Sequence, residues 1–419
     1  QSWLAAVQPV FQQKSASPEI TIRTIVPIVP WTDLLYSLVP NGRPRSSVEV
    51  PGALKFSYVN ALFFSGQREP GEGPKPWYDN YPLYLREWHA SLSTLEPTAN
   101  PLYPQVRDGL AGYRSIWWQQ GFWSTLAANR LPVFQVQGFT DDLFTFEEAK
   151  RMLLALKSVD QTYPIASYFG DIGHPRARNT PAEVDYVLGL IRSWLAYYLK
   201  GEGPVPANVV HAAITRHFGE PFDAGNVITV PTYEALATDV VTHTFKQPAI
   251  LTNPASGAPS GPTSDPVLEA GIAAAGELKP MSEPRPVPNV IDPTIATYQV
   301  PITALTGGSP LLIAGQPSVV VRATTTSPRV QLNVRLYDVA PSGTKELITR
   351  GTYTTATALV DPLTDGVKVT IPTAGNLWRA PADHMLQLEI SNNDFPYLSP
   401  SQLASVTQIS RVDLVIPRR

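Results

Sequence analysis

Apolar and polar positions follow two different rhythms along this chain, and the change near residue 205 divides it. In the first part, short apolar runs alternate with helical stretches. Residues 20–29 (ITIRTIVPIV) are β-branched and apolar and predict a buried strand, which Pro27 shortens or ends. Residues 131–137 (LPVFQVQ) and 164–169 (PIASYF) predict two more buried strands. Residues 1–12 predict a short helix, with Trp3, Leu4, Val7 and Phe11 at helical spacing, and residues 146–158 (FEEAKRMLLALKS) an amphipathic one. A long helix opens at Thr180-Pro181-Ala182-Glu183. Thr180 is its cap, Pro181 suits the first turn, and Glu183 completes a capping box. It runs to about Lys200, where Gly201 stops it. Strand, helix, strand, helix predicts a parallel α/β sheet.

Beyond residue 205 the rhythm becomes alternation. Val330, Leu332, Val334 and Leu336 alternate with Gln331, Asn333 and Arg335, the pattern of a half-buried strand. Similar short strands are expected near 210–217, 226–230, 239–245, 296–302, 317–324, 346–354, 366–371, 384–390 and 405–416, with one helical stretch at 267–278. This predicts an all-β sandwich of the jelly-roll kind. Residues 247–293 are rich in Pro, Gly and Ser and predict a long arm. Residues 31–130 fit neither rhythm. They hold six of the nine tryptophans, many tyrosines and frequent Pro and Gly, which predicts a helical, aromatic-rich cap. The expected organisation is therefore an α/β core in 1–30 and 131–204, a cap in 31–130, and a β-sandwich jelly-roll domain in 205–419 with the arm at 247–293.

Composition narrows the function. A chain of 419 residues suits about two to three domains. The net charge of -3, with no basic run, gives no electrostatic case for nucleic acid. No stretch of about 18 apolar residues exists, so no membrane-spanning helix is expected. With Cys 0, disulfides, thiolate metal sites and a cysteine nucleophile are excluded. The 43 prolines suit a loop-rich protein with many fixed turns. This composition is compatible with export. A secreted or extracytoplasmic location is the expectation, with a cytoplasmic one left open. His89, His211, His217, His243 and His384 form no metal-ligand spacing, and no metal or cofactor is expected.

Two loops carry candidate chemistry. Gly138-Phe139-Thr140-Asp141-Asp142-Leu143-Phe144 follows the strand at 131–137 directly. Reactive residues of open α/β sheets sit at the carboxyl ends of strands. Asp141 or Asp142 can orient a histidine there, or can merely cap the helix that follows. Phe169-Gly170-Asp171-Ile172-Gly173-His174 follows the next strand. Taken singly, His174 is a loop histidine; taken with the aspartates, the order acid then histidine at successive strand ends matches the Ser…Asp…His order of α/β-hydrolases.

On these residues the chain resembles the X-Pro dipeptidyl-peptidase and cocaine-esterase group of α/β-hydrolases. Strand–GFTDDLF and GDIGH are similar to that group's acid and histidine motifs, and its G-x-x-D-x-x-hydrophobic pattern selects Asp141 and His174. The segment 331–353 (QLNVRLYDVAPSGTKELITRGTY) resembles its C-terminal β-domain. The resemblance implies a partial α/β-hydrolase fold, a parallel sheet with a helical cap, followed by an all-β, galactose-binding-like jelly roll. It implies a serine hydrolase cleaving a small ester, amide or peptide substrate through a Ser-Asp-His triad. The group's G-x-S-Y-G-G-type nucleophile elbow does not occur in the sequence. Residues 1–6 (QSWLAA) resemble the helix that follows it, so the serine and the oxyanion donors are expected from an N-terminal segment upstream of Gln1. Ser2 lacks flanking glycines and falls inside the helix. Trp31, Tyr36, Trp117, Trp118 and Phe139 are candidates for the substrate pocket, the alternative being packing within the cap. Self-association into a homo-oligomer is left open. The competing expectation is a non-catalytic binding or structural protein with a lectin-like jelly roll and a degenerate hydrolase domain.

Overall fold

The computed structural model describes residues 2–12, 15, 17–43, 50–65, 81–94, 96–118, 121–253, 285–286, 295–325, 327–360 and 366–419. The first helices are α1 (Ser2–Val7), α2 (Leu34–Leu38), α3 (Phe56–Ser65), α4 (Leu83–Thr94), α5 (Tyr103–Arg114) and α6 (Phe122–Asn129). They are followed by α7 (Glu147–Val159) and α8 (Pro181–Leu195). The strands of the first half are β1 (Val10–Phe11), β2 (Ile20–Thr21), β3 (Val133–Gly138), β4 (Ile165–Gly170), β5 (Val210–Ala213) and β6 (Val227–Val230).

The α/β sheet has the order β3-β4-β5-β6, with β3, β4 and β5 parallel and β6 antiparallel. Every residue of β3 and β4 is buried, because both faces are covered. Val133, Ile165 and Phe169 face Met152, Leu153 and Leu156 of α7 on one side. Phe134, Val136, Ala166 and Tyr168 face Val187, Ile191 and Trp194 of α8 on the other. Helices of this length are marginal alone. Each large apolar side chain they bury is worth about 1.5–3 kcal/mol, and that holds them.

Several local expectations need correction here. The capping box at the start of α8 does not form. Glu183 is fully buried and accepts instead from Asp171 N (2.8 Å), Tyr168 Oη (2.9 Å) and Arg216 Nη1 (2.9 Å). Burial leaves its carboxylate to these stronger donors. The first helix stops at Val7, two residues before Pro9, and gives way to β1. Residues 20–29 are not one buried strand. Ile20 and Thr21 form the hairpin partner of β1, and Ile25 and Ile28 then bridge in parallel to Val133 and Val136. Pro27 lacks an N–H, so the pairing is intermittent, and Ile28 stays 53% exposed.

The domain boundary also moves. β5 and β6 were expected in the sandwich but complete the α/β sheet, so the boundary lies beyond Val230 rather than near 205. The strands are short and apolar, and their alternation does not reveal which sheet they join. Similarly, Ile116, Phe122 and Leu126 pack with Trp3, Leu131 and Val133, so the last stretch of the expected cap belongs to the α/β core.

The sandwich strands are β7 (Asp239–Phe245), β8 (Ala249–Asn253), β9 (Arg285–Pro286), β10 (Ile295–Pro301), β11 (Leu311–Gly315) and β12 (Ser318–Thr325). They continue with β13 (Gln331–Val339), β14 (Thr344–Thr354), β15 (Val367–Pro372), β16 (Asn376–Ala380), β17 (Met385–Ser391) and β18 (Ser405–Arg418). Among the described residues one sheet has the order β10-β17-β13-β14-β9. The other has β15-β12-β18-β11-β16, with β7 and β8 also on β18. This is the expected jelly-roll-type sandwich. Leu332, Val334, Leu388 and Ile390 of one sheet interleave with Val319, Val321, Val412 and Leu414 of the other. The strand β8 replaces the start of the expected arm; the rest of 254–294, apart from 285–286, and the helical stretch 267–278 lie outside the described residues.

β13 was expected to be half-buried, yet every residue of it is buried. Its polar face is used for ion pairing. Arg335 reaches Glu389 (3.0 Å) and Asp394 (3.0 Å). The sandwich also bonds to the α/β domain through Thr215 N to Leu377 O (2.7 Å) and Gly375 N to Glu147 Oε1 (2.8 Å). It bonds to the cap through Arg329 Nη1 to Glu96 Oε1 (2.7 Å).

Candidate active site

The loops after β3 and β4 lie side by side. Phe139 N donates to Gly170 O (2.8 Å), which ties the two strand ends together. Thr140 Oγ1 donates to Asp171 Oδ1 (2.6 Å). Two glycines make this approach possible. A Cβ on Gly138 would collide with the Ile172 carbonyl oxygen. Gly173 has φ +139, and a Cβ there would lie 2.5 Å from Asp141 Oδ2.

Asp141 is buried and uses both oxygens. Oδ1 accepts from Leu143 N (3.0 Å) and Phe144 N (3.0 Å). Oδ2 lies 2.8 Å from His174 Nδ1 and accepts from His174 N (3.2 Å). A carboxylate at Nδ1 favours the tautomer with its proton there and leaves the Nε2 lone pair free. The His174 side chain is 32% exposed, and among the described residues Nε2 has no hydrogen-bond partner. The Phe144 ring stands edge-on to the imidazole with centroids 4.9 Å apart. Such a pair can accept and return a proton at Nε2, with Asp141 compensating the imidazolium.

Asp142 faces away. Its carboxylate pairs with Arg176 Nη2 (2.9 Å) and Arg350 Nε (3.4 Å). Neither aspartate caps α7, whose cap residue Phe146 makes no side-chain bond.

The expected pocket residues scatter. Trp31 is exposed, and its ring lies 5.4 Å from that of Phe144, so it stands beside the site. Tyr36 and Trp117 are gathered by Arg151. Both stack on the Arg151 guanidinium, at 4.0 and 4.7 Å from their ring centres. A buried cation draws aromatic faces and carboxylates, and Arg151 also meets Glu148 (3.2 Å) and Asp33 (3.9 Å). Trp117 Nε1 is further bound to Thr32 Oγ1 (2.9 Å). Phe139 is core, packed on Phe146 (5.0 Å) and Phe169 (5.9 Å). Trp118 lies in a short helical turn, and its side chain lies outside the described residues.

The Thr32–Asp33 turn is a second polar cluster. Glu148 accepts from Thr32 N (2.7 Å) and Ser37 Oγ (2.7 Å). Asp33 caps α2 by accepting from Tyr36 N (3.1 Å). Burial, with Glu148 beside it, pushes the Asp33 carboxyl up to about 6. Among the described residues no group of three or more His, Cys, Asp or Glu side chains could hold a metal.

Sequence reasoning missed Lys55, Tyr58, Asp171 and Arg350. The only signal at Lys55 is a single charge in the apolar run Ala53-Leu54-Lys55-Phe56. Asp171 stands inside the histidine motif, where it pairs with Arg178 and with Arg216 (3.7 Å).

Comparison with known proteins agrees with this architecture. Residues 308–403 match the family described as X-Pro dipeptidyl-peptidase C-terminal non-catalytic domain. An aminopeptidase from the marine sediment archaeon Thaumarchaeota archaeon has a similar structure at 13% identity and TM-score 0.63, over 95% of this chain and 72% of that one. An α-amino acid ester hydrolase is similar at 14% identity and TM-score 0.61, over 100% and 75%. A CocE/NonD family hydrolase from Staphylococcus aureus is similar at 9% identity and TM-score 0.56, over 99% and 69%. No curated protein matches by sequence. The resemblance of this chain to the X-Pro dipeptidyl-peptidase and cocaine-esterase group thus extends across its fold.

Proposed function

We propose that the protein is a serine hydrolase that cleaves an ester or amide, with Asp141 and His174 as two members of its triad. The observation that carries this reading is the buried Asp141 carboxylate on His174 Nδ1 at 2.8 Å, with the His174 side chain 32% exposed. In the mechanism, Nε2 takes the proton of a serine hydroxyl as its oxygen attacks the carbonyl carbon. It then gives that proton to the leaving alcohol or amine. An acyl-enzyme results, and His174 next activates water to release the acid. Asp141 keeps the imidazole in one tautomer and balances its charge in both half-reactions.

The serine is assigned to a strand along the edge of residues 24–28. Among the described residues nothing pairs with the outer edge of residues 24–28, beside Ile28 and Trp31, which are 53% and 41% exposed. An unpaired apolar edge on a parallel sheet calls for another strand. A strand there ending in a serine would complete a triad with Asp141 and His174. The aminopeptidase and ester-hydrolase folds favour an acyl substrate of amino-acid or peptide type.

The test is labelling of the intact protein with a fluorophosphonate, which phosphonylates an activated serine. Labelling that is lost in His174→Ala supports the reading. Absence of labelling in the wild type, or labelling indifferent to His174, would remove it.

A further inference from the structure

Lys55 immediately precedes α3 and is buried, with 2% of its surface exposed. Its ammonium donates to Asp142 O (2.7 Å) and Leu143 O (2.7 Å). Among the described residues it has no ion-pair partner. A buried ammonium held by carbonyls alone is costly. A merely space-filling role would be better served by an apolar side chain.

The two carbonyls identify what the charge does. The Asp142 carbonyl shares its peptide group with Leu143 N, and the Leu143 carbonyl shares its own with Phe144 N. Those are the two N–H groups that donate to Asp141 Oδ1 (3.0 and 3.0 Å). Each peptide therefore links Lys55 to Asp141, and Asp141 passes the chain on to His174 Nδ1 (2.8 Å). A cation on the carbonyl end polarises the N–H end, and bonds in such a chain strengthen one another. Tyr397 Oη of the sandwich adds a donor to Asp142 O (3.0 Å).

One turn along, Tyr58 Oη donates to Pro175 O (2.7 Å), next to His174. The turn is itself fixed: Lys55 N donates to Leu38 O (2.8 Å), Ser57 N to Pro396 O (3.1 Å), and Ser399 N to Leu54 O (2.8 Å). Ala53, Tyr58, Leu143, Phe144, Tyr397 and Leu398 enclose it in one apolar cluster.

We propose that Lys55 and Tyr58 are positioning residues, Lys55 orienting and charging the acid loop through the 142–143 and 143–144 peptides and Tyr58 holding the histidine loop. The proposal rests on the reading of Asp141 and His174 as a catalytic pair. Burial pushes the Lys55 ammonium down to about 8, against the pull of Asp142, Asp141, Glu148 and Glu147. Tyr36, Arg350 and Tyr397 line the same cavity of about 70 Å³. The charge is therefore lost within an accessible range of pH.

The test uses the downfield NMR signal of the His174 Nδ1 proton, followed from pH 6 to 10 in the wild type, Lys55→Met, Lys55→Gln and Tyr58→Phe. Gln keeps an N–H donor for the carbonyls but has no charge, so it serves if Met prevents folding. The wild type and Y58F should show a transition near pH 8, absent in K55M and K55Q. In the intact enzyme K55M and K55Q should lower kcat by between about 10- and 100-fold with KM within twofold. A K55Q signal that follows the wild type across the whole range, or a kcat within twofold of wild type, overturns the proposal. If the hydrolase reading itself fails, the wild type will hydrolyse nothing that D141N does not, while the NMR comparison still decides the role of Lys55.

Discussion

Asp142 points away from His174 and pairs with Arg350 of the β-sandwich at 3.4 Å, while its neighbour Asp141 holds the imidazole at 2.8 Å. Two adjacent carboxylates thus serve opposite sides of one turn. One sets the candidate proton relay. The other, with Arg176 at 2.9 Å, fastens that turn to the second domain.

Removing Asp142 leaves Arg176 and Arg350 buried without that carboxylate. Asp142→Ala should destabilise the protein by about 3–5 kcal/mol, the usual cost of orphaning a buried charge. Denaturant unfolding measures this. A midpoint equal to wild type would show that the pairs contribute nothing.

Asp141→Asn keeps the size and loses the charge. In the intact enzyme kcat should fall by roughly 10⁴, as for the equivalent change in a serine protease, with thermal unfolding little changed. A near-normal rate in an ester hydrolysis assay would reject the catalytic role of the pair.

Gly173→Ala tests the close approach of the two loops. Alanine there must adopt φ +139, and its methyl meets Asp141 Oδ2 at 2.5 Å. Asp141 would have to shift from His174, so activity should drop by about 100-fold or more while α7 and α8 persist by circular dichroism. Unchanged kcat with unchanged stability would contradict the geometry.

His217 tests the domain junction. It lies between Glu346 Oε1 at 2.8 Å and Asp338 Oδ2 at 3.5 Å, both on the sandwich. Burial alone would lower its pKa, but the bond to Glu346 and the charges of Glu346 and Asp338 outweigh this and lift it to about 9. The folded state therefore holds this proton more tightly than the unfolded chain. Its stabilising contribution is complete below about pH 6.5 and is lost as pH rises through about 9. The difference in melting temperature between wild type and His217→Gln should be largest near pH 6 and shrink toward pH 9. A difference that stays constant, or grows with pH, would refute the assignment.

The two loops that bring Asp141 and His174 together were legible in the chain alone. Apolar runs at 131–137 and 164–169 mark the strands because only buried segments need continuous apolar sequence. Gly138 and Gly173 mark the loops because a backbone carbonyl approaches the first and the Asp141 side chain the second. The spacing of Asp141 and His174 from those strands follows from local geometry, which short-range sequence controls.

What the local pattern did not decide depends on contacts between distant residues. It placed Val210–Ala213 and Val227–Val230 in the sandwich, whereas their backbones pair with β4 and with each other. A strand's apolar alternation says that it is buried, not against which neighbour. The same limit applies to Tyr36 and Trp117, aromatic residues that any pocket would welcome. A single buried guanidinium, Arg151, drew both onto itself. Between Asp141 and Asp142 the local pattern left the choice open. Tertiary structure separates them because each carboxylate turns toward the donors its burial makes available: two amides and an imidazole for one, two arginines from different segments for the other. Lys55 stands 86 residues before Asp141 in the chain. Only the folded packing of α3 on the acid loop brings its charge to the two peptides that hold Asp141.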